Sequence, residues 1–257
     1  MRLSIQWVAL QTIVRKEITR ILRIWTQALL SPLIIQTLYF IIFGQGIGSW
    51  VGPIHGVSYM SFIVPGFVMM VIINGAFSNV VSSFCSDKFQ GNLEEILVSP
   101  ISDGTIILGY VLGGVIRGIW IGILVFLVSL FFGLPNIKNL WVVLFFTLLN
   151  GALISLAALL NGILAHNVDE EDLFRNFILK PMIYLGGVFY SIHSLPILWK
   201  IISYFNPILY MINGFRYGFF GFSDVSPFVC ALVLLTGIFI LVSSNLWLLK
   251  KGIGARS

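Results

Sequence analysis

From Ile24 to Ser86 the chain carries no Asp, Glu, Lys or Arg. A soluble domain cannot hold so long a stretch without charge. A bilayer core takes about 20 apolar residues per helix, so this stretch has room for two membrane spans. The break between them falls between Gly44 and Gly56, where glycines and one proline cluster without a charge. Composition points the same way: 58% of residues are apolar and 10% charged, against the ~25% charged of soluble domains. With 22 Phe and 7 Trp, and a mean hydropathy of +0.99, too little polar surface remains to coat a globule. Disordered, collagenous and disulfide-framed chains are excluded, which leaves an all-α polytopic membrane protein. Cys85 and Cys230 fit neither a disulfide framework nor a metal site and read as packing residues.

Six spans are expected, near 28–47, 59–84, 105–133, 140–164, 177–192 and 227–249. The segment 196–223 is apolar but interrupted by Lys200, the pair Asn206-Pro207, Asn213 and Arg216. Leaving it out of the count places Arg2, Arg15, Lys16, Arg20, Arg23, Lys88, Arg175, Lys180, Lys250, Lys251 and Arg256 on one side, and only Lys138, Lys200 and Arg216 on the other. The positive-inside rule makes the richer side cytoplasmic, with both termini there. Segment 196–223 is then a re-entrant helical hairpin or a helix lying at the outer headgroups. Non-helical backbone at membrane depth survives only where protein or a water-lined cavity satisfies it.

Residues 1–27 are expected as a cytoplasmic interfacial helix, and 28–257 as the membrane domain. Leu10, Ile13, Val14, Ile18, Ile21, Leu22 and Trp25 share one helical face, opposite Thr12, Arg15, Lys16, Thr19, Arg20 and Arg23. A cleavable signal peptide does not fit, because no apolar core follows the charges promptly. Glu17 breaks the apolar face; it pairs with Arg20 at i+3 or meets another cytoplasmic segment. The net charge of +5 sits mostly at the two ends, a membrane-orientation pattern and not a nucleic-acid footprint.

Catalytic signatures are missing. No Gly-Lys pair occurs, so there is no Walker A loop, and neither G-x-S-x-G nor H-E-x-x-H is present. His55, His166 and His193 read as isolated structural residues. Gradient-driven carriers place acids inside spans, whereas every Asp and Glu here falls in a loop or in the N-terminal helix. Asp87, Glu94, Glu95 and Asp103 form one cytoplasmic group, and Asp169, Glu170, Glu171 and Asp172 another. They face a cytoplasmic partner or are solvated turns. A gradient-driven carrier or channel for an amphiphile stays open as the competing class, and a lipid enzyme would need a catalytic cluster for which only scattered His and Asp are available. Arg117 is the one charge well inside a span. Beside Gly109, Gly113, Gly114, Gly118 and Gly122 it faces protein or a cavity, or it snorkels to the cytoplasm. Asn74, Ser78, Asn79, Asn150, Ser155 and Asn161 read as interhelical bonding groups, and the largely apolar walls suit an amphiphilic cargo.

The segment from Lys88 to Pro100, KFQGNLEEILVSP, resembles the cytoplasmic motif of ABC-2 type permeases. So do Tyr184-Leu-Gly-Gly-Val-Phe-Tyr190, Leu195-Pro196 and Phe205-Asn-Pro-Ile-Leu-Tyr210, with Arg216 shortly after, all in the family's order. The resemblance implies an ATP-driven exporter subunit that dimerises in the bilayer. It implies no cofactor in this chain, since a separate cytoplasmic ABC ATPase binds the ATP and Mg. By that resemblance Asp87, Lys88, Gln90, Glu94 and Glu95 lie in the ATPase-coupling segment. Glu17 and Arg20 lie on the N-terminal helix that also meets the ATPase, and 196–223, with Asn206, Pro207 and Arg216, is the re-entrant pair.

Overall fold

The computed structural model describes residues 2–48, 50–133 and 137–252. Arg256, counted among the cytoplasmic charges, lies outside them, as does the side chain of Arg2. Among the described residues the chain is a set of helices joined by turns, with no strand. Helix α1 (Arg2–Arg23) runs into a π-helical turn (Thr26–Leu30), α2 (Ser31–Tyr39) and a second π turn (Phe40–Ile47). Pro32 lacks the amide hydrogen that a regular turn needs there, and the π turn before it absorbs the mismatch. Then come α3 (Tyr59–Phe89), the short α4 (Asn92–Val98), α5 (Asp103–Ser129) and α6 (Leu140–Leu164). After them come α7 (Val168–Phe174), a π turn (Arg175–Leu179), α8 (Lys180–Leu185), α9 (Ile197–Tyr204), α10 (Pro207–Phe220) and α11 (Pro227–Lys250).

The long helices begin where the sequence offers a cap. Ser58, Ser102, Asn139 and Ser226 each accept a bond from the amide three residues on, satisfying donors that a helix start leaves free. At 31 residues α3 is about 46 Å long, more than a bilayer core needs, and it ends in the charged pair Asp87 and Lys88.

Helix α3 forms the centre, packed chiefly on α5 and α6 and also against α10. Lipid supplies no hydrophobic drive between helices, so close approach and hydrogen bonds hold them together. The glycines of α5 serve this purpose: Gly109 and Gly113 face α1, while Gly114, Gly118 and Gly122 face α3. A Cβ on Gly113 would lie 2.6 Å from Cγ of Glu17, so no larger residue fits without displacing α1. Asn150 donates to the Met211 carbonyl at 3.2 Å and Asn245 to that of Leu156 at 3.1 Å, tying α6 to α10 and α11. Asn74 instead bonds its own helix, at Met70.

Among the described residues five helical segments are long and apolar enough to cross a membrane: Thr26–Gly44, Tyr59–Phe89, Asp103–Ser129, Leu140–Leu164 and Pro227–Lys250. The segment expected as a span at 177–192 differs. Its helix starts at Val168, capped by Asn167, and stops at Leu185 before Gly186-Gly187, where Gly187 takes φ +81°. Asn206-Pro207 divides α9 from α10 as its sequence suggests. Helix α10 is almost wholly buried, against α3, α6 and α11, so it belongs to the bundle rather than to the headgroup surface.

Candidate functional site

The polar residues of α3 recur at helical spacing near its C-terminal end: Asn79, Ser82, Ser83, Ser86 and Asp87. That stripe faces α1, whose buried residues Ile13, Glu17 and Ile21 recur every four positions. The side chain of Glu17 is fully enclosed. Its carboxylate accepts from Ser83 Oγ, from Asn79 Nδ2 at 2.9 Å and from Arg20 Nη2 at 3.1 Å. Both sequence alternatives for Glu17 thus hold together: the i+3 pair, and a contact with a distant segment. Arg20 donates in turn to the Asn79 carbonyl at 2.7 Å and to Ser82 Oγ at 2.9 Å.

One turn further along α3, Asp87 accepts from Lys16 of α1 and, at 2.5 Å, from the Tyr110 hydroxyl of α5. Two cations and two carboxylates thereby neutralise one another where full solvation is lost. Lys88 points the opposite way. Its amine donates to the carbonyls of Ile163 at 3.0 Å and Ala165 at 2.6 Å, and so caps the C-terminus of α6. Gln6 adds a last tie, accepting from Ser102 N at 2.9 Å and donating to the Pro100 carbonyl at 3.1 Å. Helices α1, α3, α5 and α6 are therefore fastened together at one end.

Helix α4 follows directly. Gly91, at φ +79°, turns the chain out of α3, and Glu94 and Glu95 stand exposed in the first turn of α4, where carboxylates suit the positive helix end. Neither carboxylate has a hydrogen-bond or ion-pair partner among the described residues. Gln90 bonds back to Ser86 at 2.9 Å. Of the residues singled out for coupling, Glu17, Asp87 and Lys88 turn inward as fasteners, Arg20 bridges, and Gln90, Glu94 and Glu95 face outward. The second acidic group is bound locally: His166 N–H donates to Glu170 at 2.8 Å, and Arg175 meets Glu171 and Asp172 at 3.4 and 3.3 Å. The His166 amide holds the Glu170 carboxyl below its ordinary range, whereas burial raises that of Glu171.

Within the bundle Arg117 is buried and faces protein. Arg216 is buried too: it donates to the Gly187 carbonyl at 2.7 Å and lies 4.1 Å over the Phe62 ring. Asn206 caps α10 at Ile208 N and donates to the Met182 carbonyl at 2.6 Å, with Pro207 as the first helical residue. At the end of α3 away from α4, Asp224 accepts from Ser191 Oγ at 2.7 Å and Ile192 N at 2.9 Å. His55 and His193 lie 3.5 and 4.0 Å from it, so these two are not isolated. Sequence reasoning passed over Lys16, Ser83, Tyr110 and Asp224. The polar faces of α1 and α3 were the signals for the first two, and no local signal marked Tyr110. Among the described residues no group of three or more His, Cys, Asp or Glu could hold a metal ion.

A helical bundle with several membrane-length apolar helices, a long central helix ending in a short exposed helix, and an amphipathic helix clamped beside it make a polytopic membrane protein. The ABC-2 type transporter family matches residues 8–220, and the chain belongs to that family. It is the multi-pass membrane permease subunit of an ABC transporter, a transport protein whose family works with an ATPase partner. The inner membrane transport permease YadH of Escherichia coli (strain K12) is 51% identical over 257 residues, covering 99% of this chain and 100% of that protein. Nodulation protein J of Rhizobium leguminosarum bv. viciae is 24% identical over 194 residues, 74% of this chain and 73% of the relative.

Proposed function

We propose that two copies of this chain form the export path of an inner-membrane ABC transporter, with both termini in the cytoplasm and a separate ATPase docked below. The ATP and Mg belong to that ATPase. The observation that carries the coupling reading is the fastening of α1 to the end of α3 through Glu17, Arg20, Asn79 and Asp87, with α4 hung on Gly91 immediately beyond. A push on α4 reaches α3 through the short turn Gln90-Gly91, and α1 is tied to the end of α3 that receives it. Glu94 and Glu95 form the partner-facing surface of α4, and Gln90 flanks it. Glu17, Asp87 and Lys88 transmit the displacement from inside. Arg20, about a quarter exposed, is the α1 side chain placed both to hold α3 and to meet the partner.

The test is a pull-down of the tagged chain from its native membranes in mild detergent, assayed for ATP hydrolysis. A stoichiometric ATPase is expected in the eluate. Reversing both Glu94 and Glu95 to Lys should weaken its retention by about tenfold or more, ~1.4 kcal/mol, while membrane insertion is unchanged. Equal co-purification of the double variant removes α4 from the coupling surface. Absence of any ATPase, even after cross-linking, removes the subunit assembly altogether.

A further inference from the structure

Lys180 is an exposed cation without a hydrogen-bond or ion-pair partner among the described residues. It lines a cavity of about 340 Å³ with Gln36, Tyr39, Met70, Asn74 and Tyr184. Gln36 and Tyr39 stand near the middle of the Thr26–Gly44 span, and Met70 and Asn74 near the middle of Tyr59–Phe89. The sequence count had put Lys180 among the cytoplasmic charges. The structure sets it beside the midpoints of two spans instead, where an unpaired ammonium facing lipid is strongly unfavourable.

Among the described residues no acid pairs with it. On its own helix the nearest acid is Asp172, eight residues back and about 12 Å away along the axis, and Asp172 and Glu171 already meet Arg175. The remaining acids lie on α1, between the end of α3 and the start of α5, beside Lys180's helix at its N-terminal end, or at Asp224. Gln36 adds an independent sign of a missing ligand: it is 3% exposed, lines the same cavity, and its Nε2 donor has no partner among the described residues.

We propose that this cavity binds the negatively charged head of an amphiphilic cargo, a phosphate or carboxylate held by the Lys180 ammonium and the Gln36 amide, with its apolar portion against Tyr39, Met70 and Tyr184. Tyr184 and the neighbouring Ile35 are exposed, so the cavity has an open side through which a tail can enter. The assignment deepens the permease reading by naming a charge for the cargo, and it rests on that reading only for the word cargo.

The purified full chain in phosphatidylcholine nanodiscs would be titrated with radiolabelled dodecyl phosphate. Saturable binding is expected, with no competition from dodecyl maltoside or inorganic phosphate at about 100-fold excess. Lys180→Gln should weaken binding by about tenfold or more, Lys180→Arg by no more than about threefold, and Gln36→Leu by an intermediate factor. Absence of saturable binding, equal competition by dodecyl maltoside, or unchanged affinity in Lys180→Gln would each overturn the proposal. Loss of binding in discs containing phosphatidylglycerol would also overturn it, by making the occupant a resident bilayer lipid. The competition arms need only the wild-type chain, so a poorly folded variant leaves the test intact. No ATPase is involved, so failure here and failure of the pull-down are separate results.

Discussion

Glu17 shows how one residue can break a helical pattern for a structural reason. On an interfacial helix its carboxylate sits among Ile and Leu, and it persists because Ser83, Asn79 and Arg20 satisfy it completely. Removing it strands Arg20 and the Asn79 amide in a partly dry joint. Glu17→Ala is therefore expected to lower stability by about 2–3 kcal/mol, somewhat under the loss for a fully buried ion pair because Arg20 keeps some solvent. Thermal unfolding in detergent measures this. In a double-mutant cycle with Asn79→Leu the two losses should be strongly non-additive, because they remove one shared network. Additive losses would mean that the two residues act separately.

At the scale of elements, the hairpin α9–α10 depends on how its turn is built. Asn206 satisfies both the first amide region of α10 and the Met182 carbonyl at the end of α8, while Pro207 supplies a helical φ with no amide to satisfy. Asn206→Ala loses both bonds and should cost about 1–2 kcal/mol. It should also raise amide hydrogen exchange in α9 and α10 above that in α5. Uniform exchange across the bundle would show that packing on α6 and α11 alone holds the hairpin. The helices with caps and long apolar runs were legible from sequence because both signals are local. The helix that overlaps the segment expected at 177–192 starts earlier, at Val168, because Asn167 caps it just before an acidic run that resembles a loop, and it stops at Leu185 before the double glycine.

For the whole molecule, the outer helices differ sharply from the central one. In their most apolar stretches 83% of α3 is buried, but only 17% of Thr26–Gly44 and 11% of α11. The two exposed helices must face lipid or another copy. The bundle also has two chemically different ends: fastened charge pairs near α4, and the Asp224 cluster with Lys138 beside Gly221 at the other. A reporter fused after Gly221 should accordingly read on the extracytoplasmic side, and one fused after Lys250 on the cytoplasmic side. Matching readouts at both positions would mean that α11 does not cross.

By itself the sequence determined the solvent, the helical class, the amphipathic first helix and the resemblance to the permease family. Each depends on composition or on spacing within a few turns, and such patterns survive in a linear string. The tertiary structure decided which charges meet. Whether Asp87 finds Tyr110, Lys88 caps α6, His55 and His193 converge on Asp224, or Lys180 stands unpaired beside Gln36 depends on how each helix is rotated and how far it slides along its neighbour. Rotation and register are set by many small contacts, such as Glu17 resting in the space left by Gly113, and no local pattern records their sum.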